Sequence, residues 1–237
     1  MNKGFRSTIL NEPKTTSHLI IKNMITNSVL VQNLINKGVL KSQKNINVMR
    51  SVDRKDFVIE SEKENAYTDY PLPIPCGQTI TRPSQMAFIL EFLDIQKGEK
   101  VLEVGSGSGW GTAILAELVG KTGQVWSVEI KPELVEFGIK NLQKYNFTQV
   151  NLLQAGSTYG LPEHAPYDKI IISASGDKLE EAFFNQLKIG GKMTIPVKDK
   201  LVLLTKQNES EYKTKSFKGF VFVPLIKPAD QITDTSY

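Results

Sequence analysis

The chain has 237 residues, of which 40% are hydrophobic and 23% charged, a composition that suits one globular domain with a sizeable core. Its net charge of +4 comes from Lys and Arg spread along the whole length, so no basic stripe indicates a nucleic-acid partner. The single cysteine, Cys76, excludes an intramolecular disulfide framework, and no apolar run approaches the roughly 20 residues that span a bilayer. We therefore expect a monomeric, cytoplasmic protein that acts without a membrane or nucleic acid.

The N-terminal part of the chain is predicted to be helical. Residues 1–27 are expected to form a poorly ordered or helical extension, and they lack the apolar core and cleavage site of a secretory signal. Leu30, Leu34 and Ile35 have helical spacing, which predicts a helix over 28–40 that ends at Gly38. A second short helix is predicted over 45–52. One domain is expected over 28–228, followed by a tail over 229–237.

The segment 66–83 has a different character. It contains several prolines and polar residues, which predict an extended, ordered loop. Residues 84–93 are strongly apolar again and predict a helix.

From residue 99 onward β-rich runs alternate with amphipathic helices. Strands are predicted over 100–104, 124–130, 150–154, 169–173, 192–197, 201–206 and 219–225, and helices over 111–119, 132–145 and 180–187. Short Val/Ile-rich strands separated by helices predict a parallel sheet covered on both faces, whereas the last two strands have no helix between them and predict an antiparallel hairpin. The predicted fold is α/β: a doubly wound, mostly parallel Rossmann-like sheet with an antiparallel C-terminal hairpin and an N-terminal helical extension.

A glycine-rich turn is the first chemical signal. Residues 101–109 read Val-Leu-Glu-Val-Gly-Ser-Gly-Ser-Gly, a buried strand that leads into a turn before a helix. Glycines there allow a ligand to approach the backbone, at the sheet edge where α/β proteins bind ligands. Glu129 ends the next strand at close to the ~20-residue spacing expected of an acid that binds ribose hydroxyls. The alternative is a turn that only packs a helix on the sheet.

The spacing of the glycines distinguishes between cofactors. Dinucleotide-binding turns have glycines at the first, third and sixth positions, but the sixth position counted from Gly105 is Trp110, and counted from Gly107 it is Thr112. No Walker-type Gly-Lys-Ser/Thr is present. The Gly-x-Gly-x-Gly pattern instead fits a ligand without phosphates, S-adenosylmethionine, bound by a core over 99–197. No metal site is expected, because the two histidines are far apart and His164 is interpreted as a surface turn residue.

Several other segments point to one family. Residues 52–57 (Val-Asp-Arg-Lys-Asp-Phe), 66–74 (Ala-Tyr-Thr-Asp-Tyr-Pro-Leu-Pro-Ile) and 77–83 (Gly-Gln-Thr-Ile-Thr-Arg-Pro) resemble the protein-L-isoaspartate O-methyltransferase family. Segments 162–168, 186–191, 195–196 and 222–225 resemble it in the same order, so that the resemblance covers roughly residues 30 to 226. It implies methyl transfer from S-adenosylmethionine to the α-carboxylate of L-isoaspartyl residues in damaged proteins or peptides, which initiates repair through a succinimide.

The resemblance also implies the site residues. In this family a Ser or Thr hydroxyl of the Gly-Gln-Thr-Ile-Ser/Thr segment contacts the substrate carboxylate, which makes Thr81 the candidate catalytic residue; the alternative is that Thr79 and Thr81 only hold the loop. The candidates for cofactor binding are Gln78, Thr79, Ile80, Thr81, Glu103, Gly105, Ser106, Gly107, Gly109, Glu129, Ile130, Gly156 and Ser157.

Three positions depart from the family pattern. Ala155-Gly156-Ser157 replaces the usual Gly-Asp-Gly, whose Asp reaches the adenine amino group. Pro75 and Cys76 stand where Gly and a variable residue are common, and Lys198 stands where a glycine is usual. Two alternatives follow: a methyltransferase for another substrate, such as a dedicated peptide or a nucleic acid, or a cofactor-binding relative without activity. Residues 172–176 (Ile-Ser-Ala-Ser-Gly) lack the (Asn/Asp)-Pro-Pro-(Tyr/Phe) motif of many enzymes that methylate base amino groups.

Overall fold

A computed structural model describes residues 26–227 of the chain. Most of the predicted N-terminal extension and all of the predicted C-terminal tail lie outside these residues. Within them, no helix is long and apolar enough to cross a membrane.

Two amphipathic helices open the described chain, α1 (Asn27–Asn36) and α2 (Gln43–Ser51). The hydroxyl of Thr26 caps α1 by accepting a hydrogen bond of 3.4 Å from the backbone N–H of Val29. Leu30 and Leu34 are buried, as their helical spacing predicts. The predicted helices 28–40 and 45–52 therefore exist, with slightly shifted ends.

The proline-containing segment forms a small hairpin. Strands β1 (Leu72–Ile74) and β2 (Gln78–Ile80) pair antiparallel across a 3₁₀ turn, Pro75–Gly77. Pro75 only begins this turn, and the left-handed conformation falls on Cys76 (φ +60°) and on Gly77 (φ +66°). The proline is thus accommodated, but a residue with a Cβ adopts a conformation that favours glycine. Helix α3 (Pro83–Leu93) follows.

Among residues 26–227, the main sheet has seven strands. In chain order the further elements are β3 (Lys100–Val104), α4 (Trp110–Val119), β4 (Gln124–Glu129), α5 (Pro132–Leu142), β5 (Val150–Gln154), β6 (Tyr167–Ile172), α6 (Glu181–Asn185), β7 (Leu187–Val197), β8 (Lys200–Lys206) and β9 (Tyr212–Lys218). The strand order is β5-β4-β3-β6-β7-β8-β9. Strands β3 to β7 are parallel, and β8 and β9 are added antiparallel. The predicted fold class is confirmed.

The predicted strand over 219–225 is wrong. The last strand of the sheet is β9, whose seven residues are all exposed, so that it lacks the apolar pattern from which a strand is predicted. Of the residues after Gly219, the described part up to residue 227 makes only one isolated bridge, between Ser175 and Pro224, and Phe220 and Phe222 are partly buried against the core. Pro224 has no N–H to donate to a sheet, so the segment is poorly suited to a strand. Its apolar residues serve to pack against the core.

The core lies on both faces of the sheet. Alternate strand residues point to opposite faces, so Val101 and Ile171 join the larger apolar cluster with α1–α5, whereas Leu102 and Ile170 join a smaller cluster with α6. The chain runs from β3 outward to β5 and then returns to β6 on the other side of β3. This reversal places a crevice beyond the carboxyl ends of β3 and β6, which is where open α/β sheets bind ligands.

Candidate active site

The glycine-rich turn lies at that crevice, between β3 and α4. Gly105, Gly107 and Gly109 have φ values of +86°, +53° and +86°, so the turn uses a conformation that other residues adopt only with strain. The backbone N–H of Gly105 donates to the carbonyl oxygen of Val128 at 2.8 Å, which ties the turn to β4. The turn is therefore fixed in place against the neighbouring strand.

Glu129 is held beside this turn at the end of β4. One of its carboxylate oxygens accepts the N–H of Gly107 at 2.8 Å, and the other accepts those of Ile130 at 2.8 Å and Lys131 at 3.1 Å. The residue is 6% exposed and lines the cleft. A carboxylate can accept about four hydrogen bonds, so it retains capacity for a ligand hydroxyl.

Three buried polar groups of the turn have no partner among the described residues. They are the hydroxyls of Ser106 and Ser108 and the indole N–H of Trp110, and all three residues line the cleft. Buried polar groups are normally hydrogen-bonded. Unpartnered donors that border an open cleft therefore indicate a ligand with acceptor groups.

Glu103 is also buried and lines the same cleft. One oxygen of its carboxyl group accepts from the hydroxyls of Thr112 at 2.5 Å and Ser127 at 2.9 Å. Burial raises the pKa of Glu103 to about 7, while these two hydroxyls act in the opposite direction. Glu103 is thus a buried acid that lines the cleft and is hydrogen-bonded to two side chains of the protein, Thr112 and Ser127.

The substrate loop, residues 66–83, covers one side of the cleft. Its residues Gln78, Thr79, Ile80 and Thr81 all line the cleft, together with Ile74. Ile74 packs close to the glycine turn, because a Cβ at Gly107 would lie 3.2 Å from its Cδ1 atom. The predicted cofactor turn and the predicted substrate loop therefore border one cleft of about 1030 Å³, open solvent included.

The C-terminal segment 223–226 closes another side and was not among the predicted site residues. Ser175 after β6 donates its N–H to the carbonyl of Val223 at 2.7 Å, and Leu225 donates back to the carbonyl of Ser175 at 2.8 Å. Segment 222–225 (Phe-Val-Pro-Leu), whose apolar pattern predicts a strand, also belongs to the family resemblance and is the sequence signal for this role. Tyr159 and Ser173 also line the cleft without having been predicted.

Most of the predicted site residues meet at this cleft. Those that line it are Gln78, Thr79, Ile80, Thr81, Glu103, Gly105, Ser106, Gly107, Glu129, Ile130 and Gly156. Gly109 and Ser157 do not line it; Gly109 is the N-cap of α4, and Ser157 is exposed. Beside Gly156 there is open space, since no atom of the described residues, its chain neighbours apart, lies within 4 Å of the position of a Cβ there.

Comparison with known proteins gives a consistent result. The model of the family described as protein-L-isoaspartate(D-aspartate) O-methyltransferase matches residues 25–230. The chain belongs to this family. A protein-L-isoaspartate O-methyltransferase from Ignicoccus hospitalis is 41% identical over 203 residues, which cover 84% of this chain and 96% of that protein. One from Methanopyrus kandleri is 43% identical over 202 residues, 83% and 89% of the two chains.

A solved structure supports the same assignment. A Plasmodium falciparum protein assigned to the protein-L-isoaspartate O-methyltransferases, solved in complex with S-adenosyl-L-homocysteine, superposes with a TM-score of 0.77 at 25% identity, over 85% of this chain and 99% of that one. The predicted family and its cofactor, S-adenosylmethionine, are confirmed. The cleft of this chain fits such a cofactor, because Glu129 can accept hydroxyls and the buried donors of Ser106, Ser108 and Trp110 await acceptors.

Proposed function

We propose that this chain transfers a methyl group from S-adenosylmethionine to the α-carboxylate of L-isoaspartyl residues in damaged proteins or peptides. The observation that carries the proposal is that one cleft is lined both by the glycine turn with Glu129 and by the part of the substrate loop that contains Thr81. The family membership of the chain and the names of its relatives support the choice of substrate.

The cofactor side of the cleft has clear roles to assign. When bound, S-adenosylmethionine supplies a methyl group on a sulfonium sulfur with a good leaving group. Glu129 accepts a ribose hydroxyl with the acceptor site that its three backbone hydrogen bonds leave free. Ser106, Ser108 and Trp110 donate to the acceptors of the ligand. Ile80 contributes an apolar wall. Gly156 stands where the family usually has Asp, and it leaves open space in that part of the cleft.

The substrate side requires little chemistry from the protein. A free α-carboxylate has a pKa near ~3.5, so it is already ionised at neutral pH and requires no general base. The residues must instead align its oxygen with the methyl group, and such orientation can lower a barrier by up to roughly 7–11 kcal/mol. We assign Thr81 to this task, as the hydroxyl that contacts the carboxylate, with Thr79 beside it in the loop.

The methyl ester then leads to repair without further catalysis. The backbone nitrogen of the following residue attacks the ester carbonyl, methanol leaves, and a succinimide ring forms. Hydrolysis of this ring on one side gives a normal aspartyl residue and on the other side the isoaspartyl residue again. Repeated methylation therefore converts the damaged residue progressively to aspartate.

Product analysis tests this function. An isoaspartyl peptide incubated with the protein and S-adenosylmethionine should be converted first to the succinimide and then in part to the aspartyl peptide, as followed by reversed-phase chromatography. A peptide that stays unchanged while calorimetry shows S-adenosylhomocysteine binding would contradict the proposal and favour a relative that has lost activity. Methylation of another peptide or of a nucleic acid alone would favour a redirected enzyme.

We further propose that the chain works as a monomer, with residues 28–228 as one domain, in the cytoplasm and without nucleic acid. The single cysteine suits a reducing compartment, which supports the cytoplasmic location. Sedimentation velocity tests the oligomeric state directly: a dimer at micromolar concentration would contradict it.

A further inference from the structure

Arg54 is the largest fully buried side chain of the described protein, although it carries a charge. It lies in the short 3₁₀ helix Arg54–Phe57, between α2 and the substrate loop. We propose that Arg54 is a positioning residue for methyl transfer, which holds the Thr81 end of the loop against the cofactor helix α4. This inference rests on the proposed function, because it presumes that Thr81 faces the substrate.

The guanidinium group binds both ends of the substrate loop. Nη1 donates to the carbonyl oxygens of Ala66 at 2.8 Å and Thr68 at 3.3 Å, near the start of the loop. Nη2 donates to the carbonyl of Tyr70 at 2.9 Å and, near the end of the loop, to that of Thr81 at 3.2 Å. The planar guanidinium presents its donors in a fixed fork, so these four bonds set the two ends of the loop at a defined separation.

The same group also contacts the cofactor side of the cleft. Its central carbon Cζ lies 5.3 Å from the centroid of the Trp110 ring, within the range of a cation–π interaction. Trp110 is the first residue of α4 and follows the glycine turn directly. One side chain therefore joins the residue proposed to contact the substrate with the helix that carries the cofactor turn.

The charge of Arg54 has only neutral groups as direct partners. No carboxylate forms an ion pair with it among residues 26–227, and its hydrogen bonds all go to backbone carbonyls. Burial lowers the pKa of Arg54 to about 9, and the charge of Asp69 opposes this shift, so the group is charged at neutral pH. Burying a charge is costly, and an apolar residue could fill the same volume. An apolar residue could not supply the forked set of donors that binds the four loop carbonyls.

The substitution Arg54→Lys tests this role. Lysine keeps the charge but presents its donors at a single point, so it cannot reach both Ala66 and Thr81. We expect kcat with an isoaspartyl peptide to fall more than tenfold, whereas the Kd of S-adenosylhomocysteine changes less than threefold. Arg50→Lys is the matched control, since Arg50 is exposed near the end of α2, and it should leave both values unchanged.

A second variant, Arg54→Gln, keeps an N–H donor without burying a charge and should show the same split between kcat and Kd. If either variant retains kcat within twofold of the parent, the proposal is overturned. If both lose cofactor binding together with turnover, it is also overturned, because Arg54 then serves the fold as a whole. A parent protein without activity on isoaspartyl peptides would instead overturn the proposed function, so the two failures are distinguishable.

Discussion

The backbone N–H of Gly107 donates a hydrogen bond of 2.8 Å to the carboxylate of Glu129. This bond joins the two features that the sequence separates by 22 residues, the glycine turn and the acid at the end of β4. The acid thus positions the turn as well as facing the cleft. Loss of its charge is expected to weaken both the hold on the glycine turn and the hydrogen bond to a ligand hydroxyl.

Glu129→Gln should weaken cofactor binding. The amide keeps one acceptor but turns an N–H₂ group toward backbone donors that now bind the carboxylate, and hydrogen bonds to a charged group contribute about 1.5–3 kcal/mol. We expect the Kd of S-adenosylhomocysteine, measured by calorimetry, to rise at least tenfold. Glu136→Gln, an exposed change on α5, is the control and should have no effect. A Kd within twofold of the parent for Glu129→Gln would exclude this role.

Thr81→Val should separate turnover from cofactor binding. Valine has nearly the shape of threonine but no hydroxyl, so the loop should keep its path while the substrate carboxylate loses a donor. We expect turnover on an isoaspartyl peptide to fall more than tenfold, with the Kd of S-adenosylhomocysteine unchanged. Thr81→Ser retains the hydroxyl and should keep most of the activity. If Thr81→Val turns over as fast as the parent, the hydroxyl has no role in the reaction and Thr81 only holds the loop.

Gly156→Asp should strengthen cofactor binding. Gly156 lines the cleft with its φ outside the left-handed region, and open space surrounds the position of a Cβ. An aspartate should therefore fit without strain and offer a carboxylate to the adenine amino group, as is usual in the family. We expect the Kd of S-adenosylmethionine to fall about three- to tenfold, roughly 0.7–1.4 kcal/mol. Gly156→Ala tests the space alone and should leave the Kd unchanged, whereas weaker binding by Gly156→Asp would show that this chain has reshaped the pocket.

The buried acid Glu103 should make stability depend on pH. Burial raises its pKa from the usual 4.5 to about 7 in the folded protein, so the folded state holds a proton that the unfolded chain has released between these values. The stability that comes from this proton is fully present below about pH 4.5 and is lost as the pH rises through about 7. We expect Glu103→Gln to reduce the fall in the free energy of unfolding between pH 5 and pH 7.5, measured by urea denaturation. An identical fall in both proteins would show that other groups cause it.

Local sequence patterns are sufficient to predict the parts of the molecule whose structure depends on neighbouring residues. The strand β3, its glycine turn and Glu129 could be predicted, because strand burial, positive φ and the sheet edge each leave a residue signature. Glycine in the family pattern also marks positive φ at residue 198, where this chain has Lys198 with φ +54°.

Features that depend on distant partners could not be predicted. Strand β9 is exposed along its whole length and pairs only because β8 lies beside it, so its residues carry no apolar period. The apolar residues after Gly219 wrongly predict a strand, since burial against the core and strand pairing both favour apolar residues. Nothing local indicates that Arg54 is buried, because its four acceptors lie 12 to 27 residues later in the chain, from Ala66 to Thr81.

The most direct test of the account is methyl transfer to a matched pair of peptides. The two peptides are identical except that one contains L-isoaspartate and the other L-aspartate at a single position, and the methyl group of S-adenosylmethionine carries tritium. We predict that label enters only the isoaspartyl peptide, as a base-labile ester that releases methanol. Equal labelling of both peptides, or labelling of neither by a protein that binds S-adenosylhomocysteine, would contradict the assignment of this cleft to isoaspartyl repair.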